Sequence, residues 1–426
     1  MSKIKNIKAR QILDSRGIPT IEVDILTQNN VLGRASIPSG ASKGENEAFE
    51  LRDENLNLFF GKGVTKAVNN VNNIIAPELI GISVMDQMHI DQLMLDLDGT
   101  KNKKRLGANS ILGISLAVTK AASKELNIPL YKYLGGIHTY VLPVPLINII
   151  NGGKHSDAPI AFQEFMIIPI GANTFLEAIE MGYNVFYQLK NILLKKGLST
   201  NVGDEGGFSS NFNGIEDVLD NILEAIHKAH YEPYDQIGIA LDCAASEFYK
   251  NNQYDYSFFE KHNCNKSKEE HIKYLTYLTK CYPIVSIEDG MDQNDWEGWT
   301  LLTKELGNKI QLVGDDLFVT QINKLKKGVQ KGIANSIIIK ANQVGTLTET
   351  IKTINFAKKN GYKNIISHRS GDTEDTFIAD LSVAFNIEQI KTGSICRSER
   401  TSKYNQLLRI EDFLGKNSYY PGWNLK

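Results

Sequence analysis

The stretch Ser336-Ile337-Ile338-Ile339-Lys340-Ala341-Asn342 (SIIIKAN) poses the question on which the fold turns. Three consecutive isoleucines are stiff at χ1, favour strands and seek burial. So short an apolar run between polar residues reads as a strand covered on both faces, as in a parallel sheet. Yet it ends in lysine, a residue seldom fully buried. Read alone, Lys340 marks the point where the strand emerges into solvent.

Working outward, the same arrangement recurs. IGIALDCA (237–244), PIVSIEDG (283–290), KIQLVGDD (309–316), NIISHRSG (364–371) and IEQIKTGS (387–394) are apolar β-like runs, each closed by a polar or charged group. Helix-compatible stretches separate them, such as TLTETIKTINFAKKNGY (346–362) after the lysine strand. Strand alternating with helix means a parallel sheet. From Glu288 through Asp315, Lys340 and Arg369 to Lys391 the strand ends advance by roughly 20–30 residues, one βα unit of a TIM barrel of about 250 residues. Residues 143–426 supply that length. No G-x-G-x-x-G opens a helix after the first strand of this region, which favours a barrel over a doubly wound sheet. In a barrel the C-terminal strand ends share the face that carries the active site. Asp242, Glu288, Asp315, Lys340, Arg369 and Lys391 therefore converge, and the charged endings become an organised set.

Residues 1–133 read as a smaller α+β unit. IPTIEVDILT (18–27) alternates apolar and polar residues, and QNN turns it into VLGRASIP (31–38), a hairpin. SGASKGENEA (39–48) is small, polar and Gly-containing, so a mobile surface loop is expected there. Helical spacing follows near 62–80, 84–95 and 107–126, the last apolar enough for an interior helix. A linker rich in Gly and Pro, Tyr133–Leu142, leads into the barrel.

Bulk composition narrows the function classes. At 426 residues the chain suits two domains, or a barrel with an appendage, and 42% hydrophobic with 23% charged residues is ordinary for a soluble globular protein. A net charge of −2 gives no general attraction to nucleic acid or anionic membrane. Cys243, Cys264, Cys281 and Cys396 form no C-x-x-C pair and no zinc-like spacing, and read as reduced thiols of a cytosolic protein. The N-terminal MSKIKNIKARQIL lacks the apolar core of a signal peptide, and VLPVPLINII (141–150) is too short to span a bilayer.

The strand-end residues carry a definite chemistry. Asp242, Glu288 and Asp315 in one pocket would repel one another unless a cation sat among them. All-oxygen ligands select a hard cation, and carboxylates with waters and a phosphorylated substrate favour Mg²⁺. Arg369, Ser370 and Lys391 opposite that cluster suit a phosphate or carboxylate. Lys340 acts as a base near neutrality only if its pKa, near 10.4 when free, falls to roughly 7–8. Burial, Lys391, Arg369 and bound Mg²⁺ push it down while the carboxylates push it up, so that role requires the metal. NVGDEGGFSSN (201–211) sets Asp204-Glu205 on a tight glycine-containing turn, and NGGKHSDAPIAFQEFMIIP (151–169) offers His155 on a loop before Gln163-Glu164 enters a strand. Taken singly, these two stretches are turn signals.

Together the segments are specific. LDSRGIPTIEV, PSGASKG, NGGKHSDAPIAFQEFM, VGDEGGF, LDCAASEFY, SIEDGMDQNDWEGW, QLVGDDLFVT, KANQVGTLTET, SHRSGDTEDTFIADLSVA and KTGSICRSERTSKYNQLLRIED occur in this order along the whole chain, which resembles the enolase family from end to end. The resemblance implies a glycolytic lyase that reversibly dehydrates 2-phospho-D-glycerate to phosphoenolpyruvate. A lysine base working with Mg²⁺ is a known feature of this family and is carried over rather than read from spacing. It puts Lys340 on the C2 proton, Glu205 as general acid on the C3 hydroxyl, and two Mg²⁺ per site. The first ion falls to Asp242, Glu288 and Asp315, the second to the substrate phosphate and Ser42. His155, Gln163, Glu164, His368, Arg369, Ser370 and Lys391 would line the substrate site, with Arg369 and Ser370 on the phosphate. It further implies a homodimer or larger homo-oligomer, a barrel irregular near its start, and a cytoplasmic protein with a secondary secreted or cell-surface fraction.

Two departures stand out. Lys43 follows Ser42 where many members have threonine, which puts loop closure in question, and Ala341 follows the lysine where leucine is frequent. One rival is a superfamily dehydratase or racemase acting on a non-phosphorylated acid; Arg369, Ser370 and Glu205 argue against it. The other is a non-catalytic surface-binding role, which an intact catalytic set would leave as an addition.

Overall fold

A computed structural model describes residues 2–40, 44–156, 160–257 and 264–423. The chain opens with an antiparallel sheet of β1 (Ile4–Leu13), β2 (Pro19–Thr27) and β3 (Leu32–Ser36), in that order. The hairpin of β2 and β3 is the expected one. β1 is an addition: its charged residues, in IKNIKARQIL, hide the strand pattern, and it registers from Ile7 against Ile25 to Leu13 against Pro19. The helix Ala108–Glu125 packs across β2 and β3. Gly33 makes that contact possible, because a Cβ there would lie 2.2 Å from the Ala117 carbonyl oxygen. Helical segments at Thr65–Leu79 and Gln87–Asp98 match the expected spacing, with a π turn over Val71–Ile75.

The second part is a closed eight-stranded barrel. Its strands are β4 (Val144–Asn151), β5 (Glu164–Pro169), β6 (Ile237–Asp242), β10 (Ile284–Glu288), β11 (Gln311–Gly314), β12 (Ser336–Ile339), β13 (Lys363–Ser367) and β14 (Gln389–Lys391). Three short strands, β7 (Tyr249–Lys250), β8 (Gln253–Asp255) and β9 (Asn265–Lys266), form a separate flap between β6 and β10. All four residues of β12 are buried, as the isoleucine run required.

The barrel's start is irregular, and the irregularity matters for chemistry. β5 pairs antiparallel with both β4 and β6, whereas the remaining neighbours are parallel. Reversal of β5 brings its first residue, Glu164, to the rim where the parallel strands end. Glu164 registers with Asp242, and Asp242 with Glu288, so three carboxyls form one row.

The N-terminal part sits over that rim. Lys120 of the long helix donates to Asp375 of the barrel (2.6 Å to Oδ2), and burial, which opposes ionisation, is outweighed by Lys120 in holding Asp375 low. Lys103 pairs with Glu349 (3.0 Å), and Ser39 exchanges backbone hydrogen bonds with Gly371 (2.8 and 2.9 Å).

Candidate active site

One cavity at the barrel rim is lined by His155, Gln163, Glu164, Glu205, Asp242, Lys340, His368, Arg369, Ser370 and Lys391, together with Gly40 and Ser367. Ten residues singled out in the sequence thus meet, though they are spread over 237 positions. Glu288 and Asp315 lie just behind this lining, in contact with it through the two lysines. Ser42 lies outside the described residues.

The cations occupy the space between the acids. Lys391 Nζ lies 2.8 Å from Asp242 Oδ2, 2.8 Å from Glu288 Oε2 and 3.1 Å from Glu164 Oε1. Burial opposes its charge, but these carboxylates hold Lys391 well above the ordinary lysine value. Lys340, projecting from the end of β12, hydrogen-bonds Asp315 Oδ2. Burial lowers Lys340 and Arg369 lowers it further, but Asp315 and Glu288 act the other way and the net direction is upward, so the ammonium is held protonated. Asp242, Glu288 and Asp315 are therefore threaded by ammonium groups rather than closed on one another. The tightest sets of potential metal-ligating side chains among the described residues are His155, Glu164 and Glu205, and Asp289, Asp315 and Asp316. Glu288 is pushed up to about 8 by burial and by Asp242, and its Oε1 is buried without a hydrogen-bond partner.

Beside this row two carboxyls share one donor. Asn148 Nδ2 donates to Glu205 Oε2 (3.1 Å) and to Glu164 Oε2 (3.2 Å). Burial and the neighbouring Glu205 raise Glu164 well above the carboxylate range. Burial also acts to raise Glu205, but the surrounding His155, His368 and Arg400 hold it well below. Of the pair, Glu164 keeps the proton. Glu205 stands on a turn that only glycine closes: Gly206 has φ +88°, and a Cβ there would meet Ser394 at 2.9 Å. His155 Nδ1 and His368 Nε2 flank Glu205 at 3.5 and 3.6 Å.

Arg400, fully buried on the helix Ser398–Leu414, sets the wall behind His368. It donates to His368 Nδ1, to the carbonyls of Arg369 and Ser370 (both 2.6 Å), and to that of Asp204 (3.1 Å). A guanidinium cannot accept, so His368 Nδ1 is the acceptor and its proton sits on Nε2, toward Glu205. Burial, aided by Arg400 and Lys391, holds His368 well below its usual value, in agreement with a neutral ring. Arg400 and Asn148 were not singled out in the sequence. A single Asn inside the apolar VPLINII was the available signal for Asn148; Arg400 offered none. Asp289, next to Glu288, also escaped notice; its carboxylate accepts from the Asp315 and Asp316 amides (2.9 and 2.8 Å) and braces their turn.

Such an arrangement brings a lysine and a carboxyl pair into one cavity, beside a cationic strand end and a row of acids. It can move protons on a small polyanion. A TIM barrel of this design beneath a three-stranded α+β unit defines an enzyme of the enolase superfamily. Residues 4–134 match the family model described as enolase, N-terminal domain, and residues 139–426 match that for the enolase C-terminal TIM barrel domain; the chain belongs to the enolase family. Among the described residues, no helix is long and apolar enough to cross a membrane.

Proposed function

We propose that the protein is a lyase of glycolysis and gluconeogenesis that reversibly dehydrates 2-phospho-D-glycerate to phosphoenolpyruvate, working in the cytosol as a homodimer or larger homo-oligomer. The observation that carries the reading is the single cavity lined together by Lys340, Glu205, Asp242, Lys391, Arg369 and Ser370.

Asp242, Glu288 and Asp315 supply only oxygen donors, which fits Mg²⁺. The fit is supported by the buried, unpartnered Glu288 Oε1 and by the ammonium groups already drawn between the acids. Bound Mg²⁺ supplies fixed positive charge where the substrate carboxylate gains negative charge as the C2 proton leaves. Ser42 is assigned to the second ion by resemblance.

The chain's own residues account for the proton transfers. Lys340 Nζ takes the proton from C2, and the C2–H electron pair moves into the substrate carboxylate; it then returns to form the C2–C3 double bond as the C3–O bond breaks. Glu205, held low in the free site, must take up a proton when substrate binds and then gives it to the departing hydroxyl, which leaves as water. Lys340 gains base strength when Asp315 and Glu288 are engaged elsewhere, because these carboxylates lift it while burial, Arg369 and Lys391 depress it. Asn148 links Glu164 and Glu205, so a proton held on Glu164 lies next to the carboxyl that must donate one. Arg369 and Ser370 receive the phosphate, and Lys391, His155, Gln163 and His368 orient the rest.

Absorbance of phosphoenolpyruvate formed from 2-phosphoglycerate tests the assignment. A signal that needs Mg²⁺ and disappears with a chelator is expected; no signal at any divalent cation concentration would remove it.

A further inference from the structure

We infer that Glu47 is a positioning residue for the phosphate end of the site, fixing Arg369 from the N-terminal part of the chain. This rests on the 2-phosphoglycerate reading and extends it to a residue that has no place in the reaction as derived above.

Glu47 meets Arg369 with both oxygens: Arg369 Nη1 donates to Oε2 (2.9 Å) and Nη2 to Oε1 (3.1 Å). Paired forks of this kind fix the plane of a guanidinium as well as its place. The ion pair is buried, with side chains 4% and 9% exposed. Asn342, two residues after the lysine, accepts from Arg369 Nη1 at 3.1 Å. Glu47 is itself held, because the Gly44 amide (3.1 Å) and Gln343 Nε2 (3.4 Å) donate to its Oε1. Gln343 also donates to Asp315 Oδ1 (3.0 Å) and accepts from Thr320 Oγ1 (2.7 Å). One buried amide therefore ties the holder of the phosphate-facing arginine to a proposed metal ligand. The motif KANQ, whose lysine alone entered the mechanism, contributes both Asn342 and Gln343.

The direction of the effect follows from what else faces Arg369. Besides Glu47, its acidic neighbours are Asp315 and Glu50. Without Glu47 the buried guanidinium is drawn toward Asp315, away from the phosphate and against a carboxylate needed elsewhere. Substrate binding would then have to reorder the arginine. Loss of a negative charge near the phosphate acts the other way, but through the same guanidinium, and the misplacement governs the outcome.

The test is a double-mutant cycle in steady-state kinetics, with saturating Mg²⁺ and varied 2-phosphoglycerate. Glu47→Gln, which keeps the side-chain volume, is expected to raise KM about tenfold with kcat changed less than about threefold. Glu47→Asp should recover part of the loss. In an Arg369→Gln background, Glu47→Gln should have less than about a twofold further effect, which a merely structural loss would not show. An unchanged KM, a loss confined to kcat, or an equal effect in both backgrounds overturns the inference. A lowered KM overturns it too, by marking Glu47 as an occupant of the phosphate's place. If Glu47→Gln melts below the assay temperature, Glu47→Asp in the same cycle decides, with the same coupling expected. Absence of turnover in the unmodified protein would instead remove the substrate assignment before any variant is compared.

Discussion

Two buried histidines, His271 and His368, behave alike as titrating groups and differently as chemistry. Burial holds His271 down to about 4, and burial with nearby cations holds His368 well below its ordinary value. His271 has both nitrogens committed, Nδ1 to the Tyr256 hydroxyl (3.0 Å) and Nε2 to the Gly290 carbonyl (2.7 Å). Tyr254 stacks on it with ring centroids 4.1 Å apart, and the Tyr254 hydroxyl donates to Asp295 (3.0 Å). Around His368 the wiring is incomplete: its Nε2, His155 Nδ1, Gln163 Oε1 and Glu288 Oε1 are buried without hydrogen bonds. Buried polar atoms are normally satisfied, so a cluster of exceptions in and just behind one cavity lining marks atoms held ready for a ligand. A depressed histidine alone does not distinguish packing from function; the unfilled hydrogen bonds around it do.

That contrast can be broken by experiment. The largest effect is expected at the proposed base. Lys340→Ala should lower kcat by about 10³-fold or more, whereas His271→Phe should leave kcat at pH 7 within about twofold. A comparable loss in both variants would dissolve the distinction between the two clusters. Next comes Glu288→Gln, which removes one charge from the proposed metal set. Turnover should fall about 100-fold, and saturating Mg²⁺, which stabilises by about 2.7 kcal/mol at a hundred times its dissociation constant, should stabilise this variant far less. Urea unfolding with Mg²⁺ or with chelator measures it.

The third prediction concerns pH and the packing cluster. His271 has its pKa lowered on folding from 6.5 to about 4, so between these values the unfolded chain binds a proton that the folded chain does not. Its contribution is present above pH 6.5 and is lost as pH falls toward 4, on the order of 3 kcal/mol in all. His271→Phe should be less stable at pH 7 by about 1–3 kcal/mol, since the Gly290 carbonyl and the Tyr256 hydroxyl lose a partner. It should also lack that part of the acid slope. Urea midpoints at pH 7 and pH 5 for both proteins provide the check, and an unchanged slope would mean that His271 is not held neutral.

Much of the site could be read from the sequence because of one geometric fact: a barrel gathers its strand ends. With IGIALD, IVSIE, QLVG, SIII, NIIS and QIK as strands, the residues that close or follow them must meet. The carboxylate row needed more, since Glu164 joins it only through the reversed β5. β4 was obscured by the prolines of VLPVPLINII, although all eight of its residues are buried. β1 was obscured by its charges. Glu47, Asn148, Gln343 and Arg400 stayed hidden for a different reason. Each works through a partner on another segment, from 16 residues away for Asn148 and Glu164 to 322 for Glu47 and Arg369, and nothing local in a sequence announces such a hydrogen bond. The lysine that follows the isoleucines of SIIIKAN was legible as misplaced; that Asp315 and Glu288 hold it protonated was not.

The central claim is that Lys340 and Glu205 perform separate proton transfers in one cavity. It is tested most directly by exchange of the C2 hydrogen of 2-phosphoglycerate in deuterated water with Mg²⁺ present. Lys340→Ala should abolish exchange, while Glu205→Gln should retain exchange and yield no phosphoenolpyruvate. Exchange that survives in the lysine variant, or vanishes in the glutamate variant, would contradict the account.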